Sequence, residues 1–175
     1  MRIIAAARSD EELLEAARSK AEIIFMLAPS IADIKRQTEI VHKAGKKLFI
    51  HLDLAMGIGK DEHGIRFVKE QGVDGIISTR TNIIKLAKKE KLFTVQRFFI
   101  VDSQSVYTAI ESAGASRADM VEIMPGTVTK VIKRLKKELD LPIVTGGLIE
   151  TNEEIEEAIS CGASAVSTGK REFWM

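Results

Sequence analysis

Residues 142–169 read PIVTGGLIETNEEIEEAISCGASAVSTG. Two short apolar runs, 142–145 and 164–167, are typical of buried strands, and the residues between them have the spacing of an amphipathic helix. Thr151 can cap the start of this helix and Gly162 can end it. The segment therefore predicts a strand–helix–strand unit whose two strands lie parallel in one sheet.

The same unit repeats along the whole chain. Apolar runs predict strands at residues 3–7, 22–27, 47–54, 74–78, 92–96, 119–124, 142–145 and 164–167. Helical patterns lie between them at residues 10–19, 30–44, 61–71, 81–90, 104–114, 127–139 and 151–160, with Gly45, Gly72, Gly114 and Gly162 as stop signals. This alternation predicts a compact α/β fold, a single-domain TIM (β/α)8-type barrel over residues 1–175. The alternative is a doubly wound open sheet.

The predicted barrel has a truncated last helix, because only residues 169–175 follow the eighth strand. We expect Phe173 and Trp174 to pack over the resulting gap in the outer ring of helices. The alternative is an exposed apolar seam that pairs with a second copy of the chain, which would make the protein a homo-oligomer.

The composition of the chain reduces the number of functions that need to be considered. A chain of 175 residues with 45% hydrophobic content can bury one core, and no apolar stretch is long enough to span a membrane. We therefore expect a soluble, cytoplasmic protein with no membrane partner. Cys161 is the only cysteine, which excludes a disulfide within the chain and a cysteine-based metal site. A net charge of +1 gives little indication of a polyanionic partner.

Two glycine-containing turns indicate a phosphate site. The turns contain Gly146 and Gly147 after the seventh strand, and Ser167 and Thr168 before Gly169 at the end of the eighth. Backbone amides next to glycine, together with hydroxyl groups, suit a phosphate dianion, and TIM barrels often build phosphate sites from these two loops. The alternative is that both are ordinary turns.

Strand alternation places further polar side chains at the mouth of the barrel, where the strands end. It predicts that Leu48, Ile50, Leu52 and Leu54 pack under the helices, and that His51, Asp53, Thr94, Gln96 and Glu122 point inward. Arg8 and Arg80 follow two other strands and can pair with an anion. The alternatives are a mutually hydrogen-bonded lining for the inward residues and ordinary surface cations for the arginines.

Basic residues form two groups in the sequence. One contains Arg80, Lys85, Lys88, Lys89, Lys91 and Arg97, and the other contains Lys130, Lys133, Arg134, Lys136 and Lys137. Lysines late in helices favour the helix dipole, which is one explanation. Contact with RNA phosphates is the other. No aromatic residue interleaves with these lysines, so the sequence does not predict a platform on which bases stack.

Five motifs in order resemble those of the glycerol-3-phosphate-responsive antiterminators, the glycerol uptake operon antiterminator family. The motifs are HLDLAMGI at 51–58, DGIISTR at 74–80, QRFFIVDS at 96–103, VEIMPG at 121–126 and PIVTGGLI at 142–149. The resemblance implies a TIM-barrel regulator with no catalytic turnover, cofactor or metal. Such a regulator binds glycerol 3-phosphate as effector and acts on leader mRNA so that transcription of glycerol uptake and metabolism genes passes a terminator.

The resemblance also implies roles for residues. Gly146, Gly147, Ser167 and Thr168 would hold the phosphate, and His51, Asp53 and Glu122 would bind the glycerol hydroxyls. Anion or RNA contacts are expected among Arg8, Arg80, Gln96, Arg97, Lys85, Lys88, Lys133 and Lys137. Residues 26–31, MLAPSI, depart from the family, in which a more polar turn with glycine is expected, so the ligand of this chain can differ.

The alternative function is an enzyme that acts on a small phosphorylated metabolite, such as an isomerase, a synthase or a phosphodiesterase. Asp53 and Glu122 would then divide the acid and base roles, with His51 as another proton carrier. In a metal-dependent phosphodiesterase these three residues would ligate a divalent ion.

Overall fold

A computed structural model describes residues 3–175 and shows eight parallel strands that close into a barrel in chain order. The strands are β1 (Ile3–Ala7), β2 (Ile23–Met26), β3 (Lys47–His51), β4 (Gly75–Ser78), β5 (Phe93–Phe99), β6 (Met120–Met124), β7 (Ile143–Gly146) and β8 (Ala165–Thr168). Each strand pairs with the next, and β8 pairs with β1. The TIM-barrel prediction is therefore confirmed, and the open sheet is wrong.

Within residues 3–175, seven helices alternate with the strands. They are α1 (Asp10–Arg18), α2 (Ile34–Lys43), α3 (Glu62–Glu70), α4 (Thr81–Lys89), α5 (Ser103–Ser116), α6 (Thr129–Glu138) and α7 (Asn152–Ser160). After β8 only a short 3-10 turn, Arg171–Phe173, stands where an eighth helix would lie, so the last helix is truncated as predicted. Among residues 3–175, no helix combines the length and the apolar character that crossing a membrane requires.

Helix starts follow the capping signals in the sequence. The Thr151 side chain accepts a hydrogen bond from the Glu154 amide, and Glu154 accepts one from the Thr151 amide in return, which forms a capping box at the start of α7. One predicted stop is wrong. Gly114 lies inside α5, which continues to Ser116 and ends at Arg117 in the left-handed conformation, with φ of 54°.

Side chains fill the inside of the barrel in layers. Phe25 and Phe49 stack there with ring centroids 5.8 Å apart, and Ile77, Val95 and Val144 join the same buried cluster. Leu48, Ile50 and Leu52 belong to a separate buried cluster under the helices, as predicted. Apolar side chains therefore pack on both faces of the strands, inside the barrel and under the helices. The polar groups at the ends of the strands are the part of the barrel that can bind a ligand.

Strand β3 is shorter than predicted. It ends at His51, because Leu52–Leu54 form a 3-10 turn that leads the chain out of the sheet. Leu54 is consequently 57% exposed and does not pack under a helix, which corrects the expectation from strand alternation. Asp53 therefore lies in the turn after β3 and not in the strand itself.

Strand β5 has the opposite alternation from the one predicted. Val95 faces the inside of the barrel, so Thr94 and Gln96 face the helices. Both find polar partners there: the Thr94 hydroxyl donates to Asp119 at 2.8 Å, and Gln96 Nε2 donates to the Thr81 hydroxyl at 3.0 Å. These partners stabilise the buried polar side chains on the outer face, so the expectation that they point inward is wrong.

The residues after β8 close the gap left by the missing helix. Trp174 is buried, and its indole Nε1 donates to the Thr168 carbonyl at 2.8 Å. The Lys20 amide donates to the Trp174 carbonyl at 2.9 Å, and Arg171 bonds to Glu15 on α1 at 2.7 Å. The packing of Trp174 over the gap is confirmed, while a homo-oligomer stays a prediction.

Candidate anion-binding site at the barrel mouth

A pocket of about 260 Å³ lies at the mouth, where the strands have their carboxyl ends. Its polar wall is formed by residues from the ends of five strands: Arg8, Arg97, Glu122, Gly147, Ser167 and Lys170. Thr168 and Gly169 also line it. The structure thus brings together side chains from β1, β5, β6, β7 and β8 or from the loops that follow them, which is where barrels of this fold bind ligands.

Arg97 and Glu122 form a buried ion pair at the base of this pocket. The two residues lie opposite each other on β5 and β6, and Arg97 Nε donates to Glu122 Oε2 at 2.6 Å. Their side chains are 7% and 0% exposed. The Ser167 hydroxyl from β8 donates to Glu122 Oε1 at 2.6 Å. Both carboxylate oxygens therefore have partners, which compensates for burying the charge.

The rest of the Arg97 guanidinium is available to a ligand. Within residues 3–175, Nε to Glu122 is its one hydrogen bond, so the terminal amino groups have no protein acceptor. Because Glu122 holds the guanidinium in place, an anion that enters the pocket meets donors that are already oriented. A planar guanidinium held this way suits bidentate contact with a phosphate.

Two further cations stand at the rim. The Arg8 side chain has no hydrogen-bond or ion-pair partner in the described part of the chain, and Lys170 Nζ makes one 3.3 Å contact with the Glu150 carbonyl. Lys170 was missed by the sequence analysis. Lys170 directly follows the Ser167–Gly169 turn in the sequence. This position could have indicated its role, because a residue that follows a turn at the end of a strand lies at the mouth.

Backbone conformation opens the wall formed by the loop after β7. Gly147 has φ of +74°, and Leu148 has φ of +57°, so this loop turns sharply out of the sheet. In the described part of the chain, the amides of Leu148 and Gly169 donate no hydrogen bond. Amides without partners at two adjacent strand ends are available to a phosphate oxygen. Leu148 itself is an exposed apolar side chain.

The predicted phosphate residues are placed differently from one another. Gly147, Ser167 and Thr168 line the pocket, whereas Gly146 lies beneath it in β7. A Cβ atom on Gly146 would lie 2.1 Å from Ser167 Oγ, so this glycine makes room for the bond from Ser167 to Glu122. Because the Ser167 hydroxyl donates to Glu122, it cannot donate to a phosphate at the same time.

His51 and Asp53 lie in a second cluster, outside this pocket. Asp53 accepts hydrogen bonds from the Ser78 hydroxyl at 2.8 Å and the Thr79 amide at 2.7 Å, and Arg80 Nε lies 3.8 Å away. His51 Nε2 makes an ion-pair contact with Asp53 at 3.5 Å, and within residues 3–175 neither ring nitrogen makes a shorter hydrogen bond. The structure therefore separates His51 and Asp53 from Glu122, with which the sequence analysis grouped them.

The Asp53 carboxylate is held in its charged form. Burial favours the neutral acid, but the His51 ring, the Thr79 amide and the Ser78 hydroxyl outweigh burial and hold the pKa of Asp53 well below its ordinary value of 3.8. A group with such a low pKa is a poor proton carrier near neutral pH. Within residues 3–175, no three His, Cys, Asp or Glu side chains form a metal-ligand set, so His51, Asp53 and Glu122 do not compose the divalent-ion site considered above.

The remaining predicted contacts fall outside the pocket. Gln96 is fully buried under α4, which makes it inaccessible to RNA and corrects its expected role as an anion or RNA contact. Lys88 Nζ lies 2.5 Å from Asp119 Oδ1, so its charge is already paired. Lys85 on α4 and Lys133 and Lys137 on α6 are exposed.

Comparison with known proteins identifies relatives over nearly the whole chain. Residues 3–174 match the model of the family described as "Glycerol-3-phosphate responsive antiterminator". The uncharacterized protein YgcP of Escherichia coli (strain K12) is 35% identical over 173 residues, which are 98% of this chain and 91% of YgcP.

Two solved structures are similar as well. The glycerol uptake operon antiterminator regulatory protein from Listeria monocytogenes str. 4b F2365 has a TM-score of 0.94 and 32% identity, over 99% of this chain and 95% of that one. A glycerol uptake operon antiterminator-related protein from Thermotoga maritima MSB8 has a TM-score of 0.89 and 34% identity, over 99% of this chain and 97% of that one.

Proposed function

Because this chain belongs to the glycerol-3-phosphate responsive antiterminator family, we propose that it is a cytoplasmic regulator that binds glycerol 3-phosphate at the barrel mouth. In its ligand-bound form the protein acts on leader mRNA, so that transcription of glycerol uptake and metabolism genes passes a terminator. It releases its effector unchanged.

The observation that carries this proposal is the Arg97 guanidinium, which Glu122 orients toward the pocket. A phosphate dianion there would accept hydrogen bonds from the terminal amino groups of Arg97 and from the free amides of the two loops. It would also form ion pairs with Arg8 and Lys170. Charge-assisted hydrogen bonds from oriented donors are among the stronger polar contacts in proteins. The pocket, at about 260 Å³, has room for a ligand of the size of glycerol 3-phosphate.

Two sets of residues are candidates to hydrogen-bond to the hydroxyl groups at the glycerol end of the ligand. The Glu122 carboxylate and Ser167 lie at the base of the pocket and can exchange their mutual bond for bonds to a hydroxyl. His51 and Asp53 stay proposed partners of the hydroxyl groups, although neither lines this pocket. Within residues 3–175 the His51 ring makes an ion-pair contact with Asp53 at 3.5 Å and no shorter hydrogen bond, so a ligand hydroxyl would supply one.

Regulation follows from linkage between the two ligands. If glycerol 3-phosphate binds one conformation or assembly more tightly, and that form also binds RNA more tightly, each ligand raises the affinity for the other by the same factor.

A second candidate function is an enzyme that acts on a small phosphorylated metabolite, since an anion-binding barrel mouth serves such enzymes equally well. The state of the carboxylates favours the regulator. The pKa of Asp53 is lowered, so this carboxylate is a weak proton acceptor near neutral pH, and it does not line the pocket.

Thermal unfolding across a panel of ligands tests the proposal. Glycerol 3-phosphate should raise Tm in a concentration-dependent manner, while glycerol should not, because a ligand that binds only the folded state stabilises it. Recovery of the ligand unchanged after incubation supports the regulator. Conversion of any triose or sugar phosphate supports the enzyme, and no response to any phosphate overturns both.

A further inference from the structure

A groove of about 400 Å³ separates the first turns of α5 and α6. Its floor is apolar and includes Ile100, Val106, Val128 and Val131. Its rim is polar, and the cations among the rim residues, Lys130 and Arg134, both come from α6. An apolar slot with a cationic edge has the chemistry that suits a nucleobase attached to a phosphate backbone.

Helix α6 presents four of its five cations on one face. Lys130, Lys133, Arg134 and Lys137 follow the three- and four-residue spacing that aligns side chains along a helix. Lys136 is on another face, since its side-chain carbons lie within 4 Å of where a Cβ of Gly162 would be. The aligned face therefore forms a stripe of positive charge that borders the groove. We call Lys130, Lys133, Arg134 and Lys137 the α6 stripe.

The acidic groups near the groove offset only part of this charge. Asp102 lines the groove and caps α5 by accepting the Ser105 amide at 2.8 Å. Glu157 on α7 accepts a hydrogen bond from the Thr129 hydroxyl at the start of α6 at 3.2 Å, and Glu111 lies one turn after Tyr107 on α5. Glu138 is the one acid in α6, and it lies at the end of the helix that is far from the groove.

The fold adds an aromatic ring to the α6 stripe. Tyr107 on α5 is 53% exposed, and the Arg134 guanidinium lies over its ring, 4.5 Å from the centroid. Tyr107 lies more than twenty residues before the lysines in the sequence, so the absence of interleaved aromatic residues did not exclude a stacking surface. The contact between α5 and α6 supplies an aromatic ring that the sequence pattern did not indicate.

We propose that single-stranded RNA binds across α5 and α6, with a base on the Tyr107–Arg134 pair, a neighbouring base in the groove and the phosphates on the α6 stripe. The inference rests on the proposed function and names the RNA-contacting surface. Stacking on tyrosine and arginine is tolerant of base identity, while lysines supply salt-dependent affinity. Helix α4, the other basic helix, has Lys88 paired with Asp119 and no exposed aromatic residue.

The groove and the anion pocket share two strands. Arg97 on β5 leads within a few residues to Ile100 in the groove, and Glu122 on β6 leads to Val128. The Ile100 amide bonds to the Met124 carbonyl at 2.7 Å, and the Gly126 amide bonds to the Gly147 carbonyl at 3.0 Å. A ligand that moves Arg97 or Gly147 therefore acts on the segments that shape the groove.

The test begins with RNA selected for binding to the wild-type protein from a random-sequence pool with glycerol 3-phosphate present. Affinity is then compared for Tyr107→Leu, for Tyr107→Phe and for Lys133→Gln/Lys137→Gln. Lys85→Gln/Lys89→Gln on α4 is the control, since it removes the same charge from another basic helix. Circular dichroism and the Tm response to glycerol 3-phosphate establish that each variant folds and keeps the mouth intact.

We expect Tyr107→Leu to weaken RNA binding by about fivefold or more, and Tyr107→Phe to bind like the wild type, because stacking needs the ring and not the hydroxyl. A plot of log affinity against log salt concentration has a negative slope. Loss of two lysines that contact phosphates should reduce the magnitude of this slope by about 1.4. Photocrosslinking with iodouridine-substituted RNA should label Tyr107, the single tyrosine of the chain.

The outcomes separate the two proposals. If no RNA is enriched by the wild-type protein, the RNA function itself is wrong. If RNA is enriched but the α5 and α6 variants bind it as tightly as the wild type, or the α4 variant alone loses affinity, the surface assigned here is wrong while the function stands. Enrichment of double-stranded RNA that does not need Tyr107 also overturns the stacking surface.

Discussion

The position of a Cβ atom on Gly146 lies 2.1 Å from the hydroxyl oxygen of Ser167 on the neighbouring strand. No side chain other than hydrogen fits there while Ser167 bonds to Glu122. Gly146→Ala should therefore displace Ser167 and lower the free energy of unfolding by about 1–3 kcal/mol, the usual cost of overpacking. Urea unfolding measures this.

A double-mutant cycle identifies the cause of that loss. Combining Gly146→Ala with Ser167→Ala removes the atom that the new methyl group meets, so the pair should be more stable than the sum of the single effects implies. Additive effects would show that Gly146 is constrained by something other than the Ser167 hydroxyl.

Replacing Glu122 with glutamine should be strongly destabilising. The substitution keeps the shape of the side chain but leaves Arg97 buried without a counter-charge, which typically costs about 3–5 kcal/mol. Equilibrium unfolding in urea checks the prediction. Glu138→Gln, at an exposed position on α6, is the matched control and should change stability little. A loss in Glu122→Gln no larger than in this control would mean that Arg97 finds another partner.

Lys170 should contribute to ligand affinity without contributing much to stability. Its ammonium group makes one weak contact with a backbone carbonyl at 3.3 Å, while it stands at the rim of the anion pocket. Lys170→Gln should weaken glycerol 3-phosphate binding by about tenfold, since a hydrogen bond between charged groups is worth about 1.5–3 kcal/mol. Isothermal titration calorimetry measures the change. Lys43→Gln removes an exposed lysine at the last residue of α2, at the end of the barrel opposite the mouth, and should bind normally.

Asp53 should make stability depend on pH in the acid range. Its pKa in the folded protein lies below 3.8, so its contribution is present above the unfolded-state pKa and is lost as the pH falls through the folded-state pKa. The difference in unfolding free energy between the wild type and Asp53→Asn should be constant above about pH 5 and should shrink at lower pH. Chemical unfolding at a series of pH values tests this. A difference that grows on acidification would contradict the lowered pKa.

The sequence predicted the barrel because each strand–helix unit carries its own local signals, such as the capping box of Thr151 and Glu154. It also predicted that Glu122 points inward, since Val121 and Ile123 on either side are aliphatic and pack outward. Local patterns were sufficient wherever the strand had apolar residues on its outer face.

Strand β5 shows where local patterns fail. Thr94 and Gln96 are polar, so alternation placed them inside, but their partners Asp119 and Thr81 lie on other elements and stabilise them outside. The ion pair of Arg97 with Glu122 has the same origin, because it joins residues on two strands. Such contacts depend on which strands are neighbours and on their register, which single-strand patterns do not contain.

One carboxylate joins three strands of the barrel. Glu122 on β6 is bound by Arg97 from β5 on one side and by Ser167 from β8 on the other. Glu122 occupies only Nε of Arg97, so an anion in the pocket would meet the terminal amino groups with the bond to Glu122 still in place. The direction in which the Arg97 donors point therefore depends on the positions of all three strands, so a shift of β8 alone would be felt at a guanidinium that β5 carries.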